Sequence, residues 1–243
     1  EQLGLRGLFL EAEREGEREA ARQFAERAVT ANPKLSWSAE ALFDLQCKQK
    51  DWGAALESLT LLKRNGLIEK PAYERKRAVL LAGQAQEAEE NETDKALTLA
   101  MEAHGLAPDL VPAAAVAARI HAGRGQTGKA AKIIQKTWTR APHPDLATAY
   151  AHARVGDSTR DRLDRVRQLA ALNPHSIESP IAVATTAIEA RLFNEARETL
   201  QPLLDDRLTQ RVATLMARIE AGESDDKGRV REWLARAVNA APD

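Results

Sequence analysis

The sequence predicts an all-α fold, a right-handed superhelical solenoid of about seven helix pairs spanning residues 1–243, and three observations predict it. Small residues return at a fixed stride. Ala96, Ala100 and Ala103, followed by Pro108, reappear 34 positions later as Ala130, Ile134 and Thr137, followed by Pro142. The same stride relates Ala21, Ala25 and Ala28 to Ala55, Leu59 and Leu62, and Ala196, Leu200 and Leu203 to Val230, Leu234 and Ala237. Gly, Pro and Asn fall between the periodic segments, where turns belong. Finally, 44% of the chain is hydrophobic but only 4% is aromatic. That alanine-led composition suits high helix propensity and close helix contact.

A stride of about 34 residues with this spacing is the signature of the tetratricopeptide helix–turn–helix. The pairs are placed at 2–33, 36–66, 70–108, 111–142, 144–174, 177–206 and 209–242. In the first, Leu5, Leu8, Phe9 and Ala12 keep helical spacing, the turn centres on Gly16, and Asn32-Pro33 stops the second helix. In the second, Ser36 or Ser38 is placed to cap the first helix through a side-chain oxygen. Asp51-Trp52 marks its turn, and Asn65-Gly66 ends it with a residue suited to positive φ.

The third pair carries about seven extra residues, assigned to the acidic run at 86–94, which either lengthens the first helix or forms a protruding turn. The fourth starts at Pro112, a residue suited to a first turn. The fifth puts Arg162 where other pairs carry a small residue, so its packing is expected to be atypical. The sixth has Phe193-Asn194 in its turn. The seventh stops at Pro242 without a dedicated cap. With Glu1 in place of Met at the start, the chain is expected to be an excised soluble region.

One such pair cannot bury its apolar stripe alone; stacking buries it, and the small rotation per pair leaves the first helices lining a concave surface. Spacing from the small positions puts Arg6, Trp37, Glu40, Asp44, Lys48, Arg119 and Arg154 on that inner face as candidate partner-binding residues. Trp37 is the expected aromatic anchor. The others are equally compatible with ordinary solvated charges.

The 35 basic and 36 acidic residues leave a net charge of −1, interleaved, which argues against a nucleic-acid track. The single cysteine, Cys47, excludes an internal disulfide framework. No apolar run approaches the ~18 residues of a spanning helix. Residues 122–129 look superficially like a phosphate loop but lack its glycine-to-lysine spacing and a preceding strand. The five histidines form no i, i+4 pair, so no metal site is expected. There is no C-x-x-C-H for covalent haem attachment. A single axial haem ligand is the remaining cofactor option, with His121 or His152 as candidates. No constellation reads as an active site, and the chain is expected not to be an enzyme.

The opening residues 3–16, the "ANP" after the second helix, the "DWGAALESL" turn and the closing "WLARAVNAAPD" resemble the bacterial HemY family, the tetratricopeptide proteins linked to haem synthesis. Gly4, Arg6 and Gly7 are the matching opening positions. The resemblance implies an inner-membrane protein anchored by a hydrophobic segment outside this chain, with the repeats on the cytoplasmic side. It implies a non-catalytic scaffold in tetrapyrrole metabolism that binds a partner protein or its tail on the concave face, the partner being a late haem-synthesis enzyme. The alternatives are a carrier that binds haem or porphyrin, and a general peptide-binding module in chaperoning or envelope assembly.

Overall fold

The computed structural model describes residues 2–205, 208–224 and 226–241, and these form fourteen α-helices and one 3-10 turn. Two compact units result, Glu1–Val116 and Ala117–Asp243.

In the first unit, α1 (Gln2–Glu15) and α2 (Arg18–Ala31), α3 (Ser36–Lys48) and α4 (Trp52–Arg64), and α5 (Lys70–Ala88) and α6 (Thr93–Leu106) form three hairpins. Successive hairpins touch through α2 against α3 and α4 against α5. The recurring small positions are the buried seam: Ala21, Ala25, Ala28, Ala55, Leu59, Ala96, Ala100 and Ala103 are each 0% exposed. Gly16 and Gly66 close turns at φ +76° and +69°, the left-handed region glycine enters without a Cβ penalty. Neither Ser36 nor Ser38 caps α3. Leu35 holds the cap position without a side-chain bond, and the buried Ser38 hydroxyl donates to the Leu35 carbonyl instead.

The extra residues of the third pair lengthen its first helix, giving α5 19 residues against 13 in α3. The Trp52 ring lies over α5 where a Cβ on Gly83 would sit 3.1 Å from it. Helix α7 (Val111–Gly123) begins in this unit and continues into the second.

The second unit continues with α8 (Thr127–Trp138), α9 (Pro144–Ala151), α10 (Thr159–Ala170), α11 (Glu178–Glu189), α12 (Phe193–Leu200), α13 (Gln210–Glu223) and α14 (Lys227–Asn239). The first helices of its last three pairs lie side by side, α9 against α11 and α11 against α13. Ala130, Ile134, Thr137, Val166, Leu169, Ala196 and Leu200 carry the seam and are fully buried.

Two departures stand out. Helix α9 has only 8 residues, because the chain leaves the helix at His152 for a turn built on Gly156 at φ +89°. That turn is held by the half-buried Asp157, which accepts from Arg165 and lies 3.7 Å from Arg154 Nε. The Ser158–Asp161 capping box then starts α10. Arg162 is half-buried, with Nη1 3.3 Å from His152 Nε2 and its Nε without a hydrogen-bond partner. The sixth pair's turn precedes Phe193, which is already the first residue of α12; Arg191 makes the turn at φ +58°.

Candidate functional site

A trough of about 470 Å³ in the second unit is lined by the first helices of three successive pairs, α9, α11 and α13, and by His152 where α9 ends. Its floor is made by Ala147 and Ala151 of α9, Ile181 and Ala182 of α11, and Leu215 of α13. The seam residues of α10 and α12 are packed away, so only the first helices have a face left for the trough.

Polar groups on its walls are mostly satisfied internally. At the N-terminal end of α11 and α13, Arg211 binds Glu178 bidentately, Nη1 to Oε2 at 3.0 Å and Nη2 to Oε1. Two parallel N–H···O bonds fix the guanidinium plane against the carboxylate. The hydroxyls of Thr185 and Thr214 donate to the carbonyls of Ile181 and Gln210, both at 2.8 Å, and that of Thr186 donates to Ala182. Their methyl groups therefore add to the apolar surface. At the opposite end, Glu189 and Arg218 are exposed and form no ion pair among the described residues.

His152 stands on the trough wall where α9 ends. Its Nδ1 lies 3.0 Å from the Thr148 carbonyl, and Arg162 approaches Nε2. A guanidinium N–H only donates, so Nε2 accepts and Nδ1 carries the proton donated to Thr148. A second depression of about 340 Å³ between α7 and α9 shares Thr148 and His152 and brings Arg119 beside them.

The remaining sequence candidates are distributed as follows. Arg6 on α1 and Glu40, Asp44 and Lys48 on α3 are exposed in the first unit, with Lys48 Nζ 3.8 Å from Glu13. Trp37 is not an exposed anchor: it is half-buried, its ring centroid 5.8 Å from that of Phe9. Arg154 does not sit on a first helix, since α9 stops at Ala151; it belongs to the turn and pairs with Asp157. His121 is buried at the α7–α8 turn with Nδ1 2.7 Å from Gln126, away from the trough. For an axial haem ligand the fit is poor, because Arg162 occupies His152 Nε2 and His121 faces the turn.

Sequence reasoning missed Glu178, Thr185, Glu189, Arg211, Thr214 and Arg218. The signal was available for α11 and not for α13: the spacing that relates Ala55 to Trp37, Asp44 and Lys48 relates Ala196 to Glu178, Thr185 and Glu189, but from Val230 it lands on the buried Val212 and Ile219, one residue beyond Arg211 and Arg218.

Among the described residues no group of three or more His, Cys, Asp or Glu side chains is placed to hold a metal ion, and no helix is long and apolar enough to cross a membrane.

A helical-hairpin array with its open face on the first helices is the tetratricopeptide repeat fold. A tetratricopeptide repeat protein from Parabacteroides merdae is similar over 98% of this chain and 93% of its own length, with a TM-score of 0.50 and 16% identity. A thermophilic repeat protein from Thermus thermophilus aligns over 77% of this chain and all of its own length, at a TM-score of 0.35 and 18% identity. In sequence, the chain is 26% identical over 200 residues to the probable magnetosome protein Mms48 of Magnetospirillum gryphiswaldense. That match covers 82% of this chain but 44% of the relative. No protein-family model matches the chain.

Proposed function

We propose that the chain is a non-catalytic interaction scaffold whose α9–α11–α13 trough binds a segment of a partner protein. The observation that carries this reading is the trough itself: an alanine-, isoleucine- and leucine-lined floor on three adjacent first helices, with threonines on its walls and unpaired charges left at one end. Rigid helices presenting an apolar floor with a few polar groups are suited to holding a protein segment at little ordering cost.

The resemblance to the HemY family supplies the finer part of the proposal. The whole protein is attached to the bacterial inner membrane through a segment outside this chain, with the repeats on the cytoplasmic side, and the partner belongs to late haem synthesis. General peptide binding in chaperoning or envelope assembly is the reading that replaces it if the partner lies elsewhere.

A photo-crosslinking amino acid at Thr185, in the full-length protein in its native membrane, tests the reading. The expected result is one dominant crosslinked partner from Thr185 and none from Arg160, which is exposed on the second helix α10. Equal capture from both positions removes the trough from the account.

A further inference from the structure

The trough's hydrogen-bonding inventory defines what conformation its occupant takes. We infer that the occupant is an amphipathic α-helix of the partner, with an aliphatic stripe and with one acidic and one basic side chain near one end. This rests on the reading of the trough as a protein-binding site.

An extended peptide laid on the floor brings about one N–H and one C=O per residue, and each needs a partner once water is excluded. The trough has little to offer them. Thr185, Thr186 and Thr214 have given their hydroxyl protons to their own helices and can only accept, so they leave a bound C=O without a donor, and Arg211 is held bidentately by Glu178. Both nitrogens of His152 are engaged, by Thr148 and Arg162. What remains is the exposed Thr148 and Gln210 at the edges, Glu189 and Arg218 at one end, and between them an apolar floor of Ala147, Ala151, Ala182, Ile181 and Leu215. A helix satisfies its own backbone internally and presents side chains at i, i+3, i+4 and i+7 to such a surface.

Size agrees. The 12 residues of α11 give a floor about 18 Å long at 1.5 Å per residue, which matches three turns of a docked helix. The 470 Å³ depression takes only the inward side chains of such a helix. Charge sets the direction. Glu189 and Arg218 stand at the same end of neighbouring helices, exposed and without an ion pair among the described residues. A basic residue over Glu189 and an acidic one over Arg218 complete both, and an occupant with like charges there is rejected.

A phage-displayed library of random 14-residue peptides, selected on the immobilised chain, tests this. Thr185→Trp, which fills the trough from a half-buried position, is the control for site. The expected selection has aliphatic residues at i, i+3, i+4 and i+7, an Asp or Glu and a Lys or Arg near one end, and no internal proline. A chosen peptide is expected to be helical when bound, by transferred nuclear Overhauser effects. It should lose at least tenfold in affinity on Arg218→Glu and regain it when its own acidic residue becomes Arg. Peptides that lose binding on Thr185→Trp yet bind extended, or that change less than twofold on Arg218→Glu, overturn the helix inference and leave the trough as a binding site. No enrichment, or enrichment indifferent to Thr185→Trp, overturns the binding reading and this inference together.

Discussion

The repeat frame places Leu200 and Leu234 at the same position of successive second helices, yet the structure buries one and exposes the other. Leu200 in α12 is 0% exposed beneath the next hairpin; Leu234 in α14 is 45% exposed. Truncation to alanine is therefore the same chemistry in two environments. At Leu200 it removes a fully buried side chain, about 2 kcal/mol of transfer free energy at ~0.8 kcal/mol per buried methylene. The cavity left behind raises the total to about 3–4 kcal/mol. At Leu234 about half of the transfer contribution applies and no closed cavity forms, so the cost is ~1 kcal/mol. A repeat array need not unfold in one step, so the assay is native-state hydrogen exchange on the amides of α11–α13, backed by urea denaturation followed by circular dichroism. The expected result is a loss of protection near Leu200→Ala at least ~2 kcal/mol larger than that caused by Leu234→Ala. Equal losses would show that α14 has its outer face covered in solution and refute the argument from exposure.

Other predictions follow from local contacts. A Cβ at Gly222 would lie 2.5 Å from the Phe193 ring, whereas one at Gly83 would lie 3.1 Å from the Trp52 ring. Overpacking costs about 1–3 kcal/mol and the helix-propensity gain returns up to ~1 kcal/mol, so in thermal melts Gly222→Ala lowers Tm clearly while Gly83→Ala stays close to the parent. Asp161 is held below the usual carboxylate range, first by the Ser158 hydroxyl and then by the Ser158 backbone N–H. A depressed folded value means that its contribution is present above the unfolded value of about 3.9 and is lost as pH falls through the lower folded one. Ser158→Ala should move the Asp161 carboxyl resonance titration upward and weaken the first turn of α10. Burial pushes the Cys47 thiol up, with Asp44 adding to it. Alkylation by iodoacetamide at pH 7.5 should be several-fold slower than for a free cysteine and become equal in urea; equal rates in buffer would contradict the burial.

Helix order and the buried seam were legible because both depend on spacing alone. Ala55, Ala96, Ala130 and Ala196 all sit where the stride put them, each 0% exposed. Turns with glycine at positive φ were legible for the same local reason. Three things were not. Trp37 was placed on the correct helix, but its burial depends on Phe9 of the neighbouring pair, a contact that spacing within α3 does not encode. Helix α9 looks long enough to reach Arg154, but it stops at Ala151, and the turn that follows carries ion pairs from Asp157 to Arg154 and Arg165, the second of which joins the turn to the next helix, a contact that spacing within α9 does not encode. The pairing of Glu178 with Arg211 spans 33 residues and decides which trough charges are satisfied, leaving Glu189 and Arg218 as the ones a partner meets.

The threonines set what surface the trough presents. β-Branched residues lower helix propensity, and a hydroxyl bonded back to the i−4 carbonyl does nothing to recover it. Lys or Glu at those positions would favour the helix. Thr185, Thr186 and Thr214 instead line the trough on α11 and α13. Turned back onto their own helices, they present methyl groups in a small, stiff surface that loses little rotamer freedom on contact. Replacing Thr185 and Thr214 together by Glu should therefore raise the helical propensity of α11 and α13 while abolishing capture of any trough-bound helix. The two effects are read separately by circular dichroism and by binding. A variant that is both less helical and still competent to bind would mean that the threonines serve packing alone.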